Sequence, residues 1–326
     1  MLVSYIVPAC DAHDSIGATV RSLLAQHFAD WEAIVVSDDG FDYLAHLAAM
    51  GLGDARLRML STGGHRTGAH RARNVGLAAA RGDYVTQLDA DDEIAPSRIV
   101  DLLPLTSRHG AAADNLILRD AGTGATLYRA LGDGAVPADL GVNAIVALSA
   151  PLVPLIRRDH LLPRDEGVEL AEDVIANIRL GARIGRLPVV ASSSYIYNVN
   201  GASMCHRPGA AAAFDAAYAT YIERLAFGDG FGLPAAVRNM AKAALIDKRA
   251  MNGAYAAATT AGYAGTFQHF ALRFRVARDG DDLESGGFNR PPSRVFPPSR
   301  PRRRANSKNN STCDRFQPAP SRLDDP

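Results

Sequence analysis

The chain has 326 residues, 47% hydrophobic and 21% charged, with 35 Lys and Arg balanced by 35 Asp and Glu. That apolar share excludes a wholly disordered chain, and the length suits one large or two modest domains. The longest apolar stretch, 142–156, is broken by Asn143, Ser149, Pro151 and Pro154 and cannot supply the roughly 20 apolar residues of a membrane span.

Residues 2–7 read as a buried strand ending at Pro8. No basic n-region or small-residue cleavage site accompanies it, and Cys10, Cys205 and Cys313 are widely spaced with no CxxC pair. The expectation is a reducing, cytoplasmic protein with neither a disulfide framework nor a zinc site. Residues 15–26 carry Ile16, Val20, Leu23 and Leu24 at helical spacing, with Asp14 or Ser15 as N-cap. A second strand, 32–36, closes in Ser37-Asp38-Asp39-Gly40; a helix over 43–50, a strand over 56–60 and a helix over 68–81 follow. A fourth strand, 84–88, ends at Asp89-Ala90-Asp91-Asp92, and Pro96 opens the next helix. Strands are further expected over 152–156 and 189–197, and helices over 172–184, 210–225 and 234–258.

This alternation predicts an α/β fold with a mostly parallel central sheet covered by helices on both faces. Ligands on such sheets bind beyond the carboxyl ends of the strands, where Asp38-Asp39 and the 89–92 cluster fall. Alternate carboxylates such as Asp89 and Asp91 suit Mg²⁺ or Mn²⁺, which prefer carboxylate and phosphate oxygens. By position alone the turn reads equally as a cation site or as a solvated turn capping the next helix. A second Asp-x-Asp, Asp279-Gly280-Asp281, sits near the C-terminal segment and is given no role. No GxGxxG follows the first strand, where Pro8-Ala9-Cys10-Asp11 stands, which argues against a dinucleotide-binding dehydrogenase.

Together the segments Val3-Ser4-Tyr5-Ile6-Val7-Pro8-Ala9, Ile34-Val35-Val36-Ser37-Asp38-Asp39-Gly40, Arg71-Ala72-Arg73-Asn74-Val75-Gly76-Leu77, Ala80-Arg81-Gly82-Asp83-Tyr84 and Leu88-Asp89-Ala90-Asp91-Asp92 resemble, in order, the opening of the family 2 glycosyltransferases of GT-A fold. Leu155-Ile156-Arg157-Arg158, Glu172-Asp173, and Tyr197 with Gly201-Ala202-Ser203-Met204 extend the resemblance over roughly 1–206. It implies a nucleotide-sugar donor, UDP-linked by preference, and inverting transfer to a hydroxyl of a saccharide or lipid-linked acceptor, assisted by Mn²⁺ or Mg²⁺. Donor-side residues would be Pro8, Asp38 or Asp39 at the base, Arg71 or Arg73 with Asn74 near the base or phosphates, and Asp89 and Ala90 at the ribose. Asp91, with Asp89, would hold the metal, and Asp173 in the Glu172-Asp173 pair would be the catalytic base. By residue type alone, Glu172-Asp173 also reads as an acidic first turn favoured by the helix dipole.

The resemblance sets a GT-A domain over 1–206, with a nucleotide half (1–105) and an acceptor half (106–206), then a helical extension (207–278). Acceptor-binding loops are expected within 112–169. Asn200 stands near a position where the family often has His, His206 is the nearest substitute, and Phe41 replaces a small hydroxyl residue. The alternative is a non-catalytic GT-A-like module that binds a nucleotide or scaffolds other enzymes. From Arg290 onward, nine cations against three acids leave +6, with eight of the 18 prolines. The segment 279–326 is therefore expected to be a disordered, solvated tail, with peripheral contact to an anionic membrane face as its functional alternative and no nucleic-acid role.

Overall fold

The structure, a computed structural model, describes residues 1–129, 138–148, 152–168, 170–200, 209–268 and 270–271. The segment 279–326, the motif at 201–204, His206, Cys205 and Cys313 lie outside the described residues. Contacts group Met1–Pro291 as one unit.

The first half alternates as expected: β1 (Val3–Ala9), α1 (Ile16–Leu24), β2 (Trp31–Ser37), α2 (Tyr43–Ala49), β3 (Leu57–Ser61), α3 (Ala69–Ala79), β4 (Tyr84–Gln87). The short β5 (Glu93–Ile94) and α4 (Arg98–His109) follow. Pro96 therefore precedes the helix rather than occupying its first turn, and α4 continues past Leu103 with Pro104 inside it. At α1, Ser15 holds the N-cap position, but its hydroxyl donates to Ala12 O at 3.4 Å instead of accepting from the helix. β1 runs through Pro8 because its pairing with β4 stops at Ile6, leaving Pro8 opposite only Val36 of β2.

The less regular middle of the sequence conceals β6 (Ala111–Asp120), β7 (Thr126–Arg129), β8 (Ala138–Gly141) and α5 (Val142–Ala147). β9 (Leu155–Arg157), α6 (Glu172–Ile184), β10 (Arg186–Val199), α7 (Ala210–Phe227) and α8 (Ala235–Thr260) complete the order. The strands form one ten-stranded sheet, β3-β2-β1-β4-β9-β6-β10-β5, with β7 on β6 and β8 on β10. Parallel pairing holds across β3-β2-β1-β4 and between β6 and β10; β9, β5, β7 and β8 run antiparallel to their neighbours. The expectation of a mostly parallel sheet thus describes the first half, and the second half is mixed.

Both faces of the parallel half are covered. Val3, Tyr5, Val7, Ala33 and Val35 pack with Ile16, Val20 and Leu47 on one face, while Ile6, Ile34, Val36 and Val85 pack with Ala72 of α3 on the other. A Cβ on Gly76 would fall 2.4 Å from Ile6 Cγ2, so glycine is what lets α3 lie this close to β1. α5, α6, α7 and α8 share a separate core built on Val146, Ile175, Ile178, Tyr221 and Leu245. Among the described residues no helix is long and apolar enough to cross a membrane.

Candidate active site

The carboxyl ends of β1, β2 and β4 open onto one cavity of about 960 Å³. Its donor-side wall includes Pro8, Cys10, Asp11, Asp38, Arg66, Gly68, Arg73, Asp89, Ala90 and Asp91, and its far side includes Glu172 and Asp173. Asp91, in the turn after β4, and Asp173, in the first turn of α6, thus line one space.

Of the two acids after β2, Asp38 lines the cavity and Asp39 stands behind it. Asp38 accepts from Thr62 Oγ1 at 2.7 Å, Thr67 Oγ1 at 2.6 Å and Gly68 N at 2.9 Å, which folds the 62–68 loop around it. Burial works against its ionisation, yet these hydrogen bonds hold its pKa below the usual carboxylate range. Asp39 accepts from Tyr43 Oη at 2.6 Å and from the amides of Asp11 at 2.7 Å and Phe41 at 3.0 Å. Burial again opposes ionisation, but those donors bring Asp39 to about 2. Phe41 packs edge-on against His13 and Tyr43.

Two donor-side candidates lie off the cavity. Arg71 is exposed and does not line the cavity, because the helical phase of α3 turns Ala72 and Arg73 inward. Asn74 also lies off the cavity; it accepts from Arg164 N at 2.8 Å and donates to Arg164 O at 3.0 Å and Glu166 Oε1 at 2.6 Å, pinning the segment before α6.

The acidic turn is anchored from β10. Tyr195 Oη donates to Asp92 Oδ2 at 2.8 Å and accepts from Asp89 N at 3.1 Å, while Asn198 N donates to Asp92 Oδ1 at 2.8 Å. Asp92 is buried, its pKa raised well above the ordinary value by burial and then by the charges of Asp91 and Asp89. Asp91 is pushed up to about 6 by burial and by Asp89, opposed by the Asn200 amide, which donates to Asp91 Oδ2 at 3.3 Å. Asn200 Oδ1, also buried, has no hydrogen-bond partner.

Two crowded carboxylates and an unpartnered amide oxygen form a hard-oxygen donor set that suits a small divalent cation. Asp91, Asp89 and Asn200 therefore fit the implied Mg²⁺ or Mn²⁺. A tighter trio, Cys10, Asp11 and Asp39 within 4.8 Å, is already engaged, since Asp11 pairs with Arg66 at 2.6 Å and Asp39 holds the donors above.

At the start of α6 the two acids diverge. Glu172 is 4% exposed; its Oε1 takes a short hydrogen bond from Arg73 Nη1, and its Oε2 lies 3.3 Å from Arg164 Nη1. Asp173 has a raised pKa because burial and the Glu172 charge outweigh Arg73 and Arg164. A carboxylate raised in this way is a better proton acceptor than an ordinary one. The site is also strained. Four described non-glycine residues hold positive φ, and Asp11 (53°), Arg66 (54°) and Ala171 (58°), which directly precedes Glu172, line the cavity.

Several residues here were not singled out in the sequence. Arg164 carries no local signal, Tyr195 reads only as a strand residue, and Asn198 falls just past the expected strand, which β10 extends to Val199. Beyond Asp173 the wall is built largely from helices rather than 112–169 loops alone: Ile145 and Leu148, with Phe214, Tyr218, Lys248, Met251 and Tyr255 of α7 and α8.

The family model described as glycosyl transferase family 2 matches residues 4–131. The chain is 30% identical over 217 residues to the succinoglycan biosynthesis protein ExoO of Rhizobium meliloti (strain 1021), covering 62% of each. It is 37% identical over 91 residues to the UDP-Glc:alpha-D-GlcNAc-diphosphoundecaprenol beta-1,3-glucosyltransferase WfgD of Escherichia coli, 28% of this chain and 35% of that one. The chain thus spans less than two thirds of the length of these curated relatives. Among solved structures, S. aureus TarS 1–349 in complex with UDP-GlcNAc superposes with a TM-score of 0.58 at 18% identity, over 76% of this chain and 72% of that one, a likeness of fold.

Proposed function

Residues 4–131 belong to glycosyl transferase family 2, and from that premise we propose that the protein transfers a sugar with inversion from a nucleotide-diphosphate donor, a UDP-sugar by preference, to a hydroxyl of a saccharide or lipid-linked acceptor. The observation that carries this reading is that Asp91, after β4, and Asp173, in the first turn of α6, line one cavity. A UDP-Glc-dependent glucosyltransferase among the relatives and a UDP-GlcNAc complex among the structural neighbours support the donor class.

In this reading Asp38 and its loop receive the base, and Asp89 faces the ribose. Asp91, Asp89 and Asn200 would hold Mn²⁺ or Mg²⁺, which when bound supplies positive charge to the departing diphosphate oxygen. The acceptor oxygen forms a bond to the anomeric carbon as the bond from that carbon to the diphosphate breaks. Asp173 takes the hydroxyl proton, and its raised pKa makes it a better proton acceptor than an ordinary carboxylate. Glu172, held between two guanidinium groups, orients α6 and does not itself take the proton.

The test is release of UDP from UDP-sugars in the presence of Mn²⁺, with wild type and Asp91→Ala in parallel. Slow release by wild type that disappears in the variant is the expected result. Nucleotide binding that depends on Mn²⁺, with no turnover of any donor, would instead assign the fold to a binding module.

A further inference from the structure

Arg73 stands where a contact to the donor phosphates was expected, yet its guanidinium is already committed to protein carboxylates. Nη2 donates to Asp89 Oδ1 at 2.6 Å, and Nη1 donates to Glu172 Oε1. One planar group from α3 therefore joins the metal-side turn to the first residue of the helix that carries the base. Its side chain is 11% exposed, Glu172's 4% and Arg164's 8%, so the Glu172 end of the junction is shielded from water, where charge-assisted hydrogen bonds are strong and directional, whereas Asp89, 36% exposed, lies at the open cavity.

We propose that Arg73, acting through Glu172, is a positioning residue that ties the Asp89-Ala90-Asp91 turn to Asp173, so that the donor end and the base end of the cavity hold a fixed spacing. This rests on the transfer reading above. The chemistry explains why arginine is needed. A guanidinium presents two parallel donor edges to two carboxylates, whereas a lysine ammonium is a point charge on a flexible stem and cannot fix both directions at once. The backbone supports the same role. Ala171 is held at φ 58° beside Glu172, and Asn74, the next residue along α3, fixes the backbone at Arg164, whose guanidinium is the second cation against Glu172. α3 thus grips the start of α6 at two successive residues. The charged and titratable groups acting on Asp173 include Glu172 on α6, Arg73 on α3, Arg164 before α6 and Tyr221 on α7, while Asp89 and Asp91 of the acidic turn and Lys248 of α8 line the same cavity.

The experiment compares Arg73→Lys and Glu172→Gln with wild type in three measurements: the thermal shift given by UDP with Mn²⁺, donor hydrolysis, and the pH profile of transfer. In Arg73→Lys the UDP-dependent shift is expected to stay within about twofold of wild type in apparent affinity, with KM for donor little changed. Its kcat for transfer should fall by at least tenfold. In Glu172→Gln the acid limb of the transfer profile should move to lower pH, because removing that charge lowers the proton affinity of Asp173.

A parallel loss of UDP binding and transfer in Arg73→Lys would make Arg73 a donor contact and overturn the proposal. A lowered melting temperature in Glu172→Gln with an unmoved pH profile would reduce Glu172 to a structural role and overturn it as well. If wild type transfers no sugar at all, the transfer reading itself fails, and this inference with it; if wild type transfers and both variants match it, only the inference falls.

Discussion

Arg98, at the start of α4, and Arg73, on α3, are both buried against carboxylates, yet they are completed differently. Arg98 meets Asp114 edge to edge, Nε to Oδ2 at 2.9 Å and Nη2 to Oδ1 at 3.2 Å, and also donates to Thr86 and to the Val153 carbonyl. One cation faces one anion, at 0% and 1% side-chain exposure. Around Arg73 the balance is broken: Arg73 and Arg164 face Asp89, Asp91, Glu172 and Asp173, and Arg73 Nε, Glu172 Oε2 and Asn200 Oδ1 lack hydrogen-bond partners. A buried network that satisfies itself belongs to the scaffold. One with surplus negative charge, strained backbone beside it and open volume in front of it marks a candidate functional site.

Mutation should separate the two regions cleanly. The largest effect expected is on transfer: Asp173→Asn should leave donor binding nearly intact and lower the rate by about 10² to 10⁴, the usual worth of a positioned base. Equal losses of donor affinity and rate, read by titration and initial velocities, would remove that assignment. In the scaffold network, Arg98→Met alone strands Asp114 and should cost about 3–5 kcal/mol in urea unfolding. Arg98→Met with Asp114→Leu should recover much of that loss, and no recovery would show that the pair is worth more than its apolar replacement.

Packing gives a smaller effect. Gly76→Ala should cost about 1–3 kcal/mol, since its methyl would meet Ile6 Cγ2 at 2.4 Å, and a melting curve matching wild type would show that α3 can shift off the sheet. Acid weakens the fold through the β2 turn. Asp39, held at about 2, contributes stability that is complete above the ordinary carboxylate pKa of about 3.9 and lost as pH falls through about 2. Asp39→Asn should therefore flatten the decline in melting temperature between about pH 5 and pH 2. The smallest change is at the strained residue before the acid pair: Ala171→Gly should stabilise by about 0.5 kcal/mol, because the left-handed conformation costs alanine about 1–2 kcal/mol and glycine loses part of that gain through its freer unfolded chain.

Legibility in the sequence followed the range of the interactions. β1, β2 and β4 could be read because they are buried on both faces and bounded by polar turns. α6 was placed to the residue, Glu172 to Ile184, since its apolar spacing and acidic start are local signals. β6 to β8 and α5 were missed: Asp114 and Asn115 sit inside β6 as buried polar residues, and Arg98 reaches Asp114 across the fold. The same limit applied to the site. Asp38, Asp89 and Asp91 could be named from their place at strand ends. The choice of Arg73 over Arg71 depends on the phase of α3 against the sheet, and Arg164 enters only because Asn74 holds its backbone.

By itself, then, the chain dictated which strands are buried, where its turns carry carboxylates, and the match of residues 4–131 to the glycosyl transferase family 2 model. These follow from hydrophobic periodicity and from turn chemistry, both of which act over a few residues. Tertiary structure alone decided that Asp91 and Asp173 share a cavity, that Glu172 lies between two arginines, and that α7 and α8 wall the far side. Those outcomes depend on desolvated charges finding partners distant in the chain, and no local pattern encodes which partner a buried charge will meet.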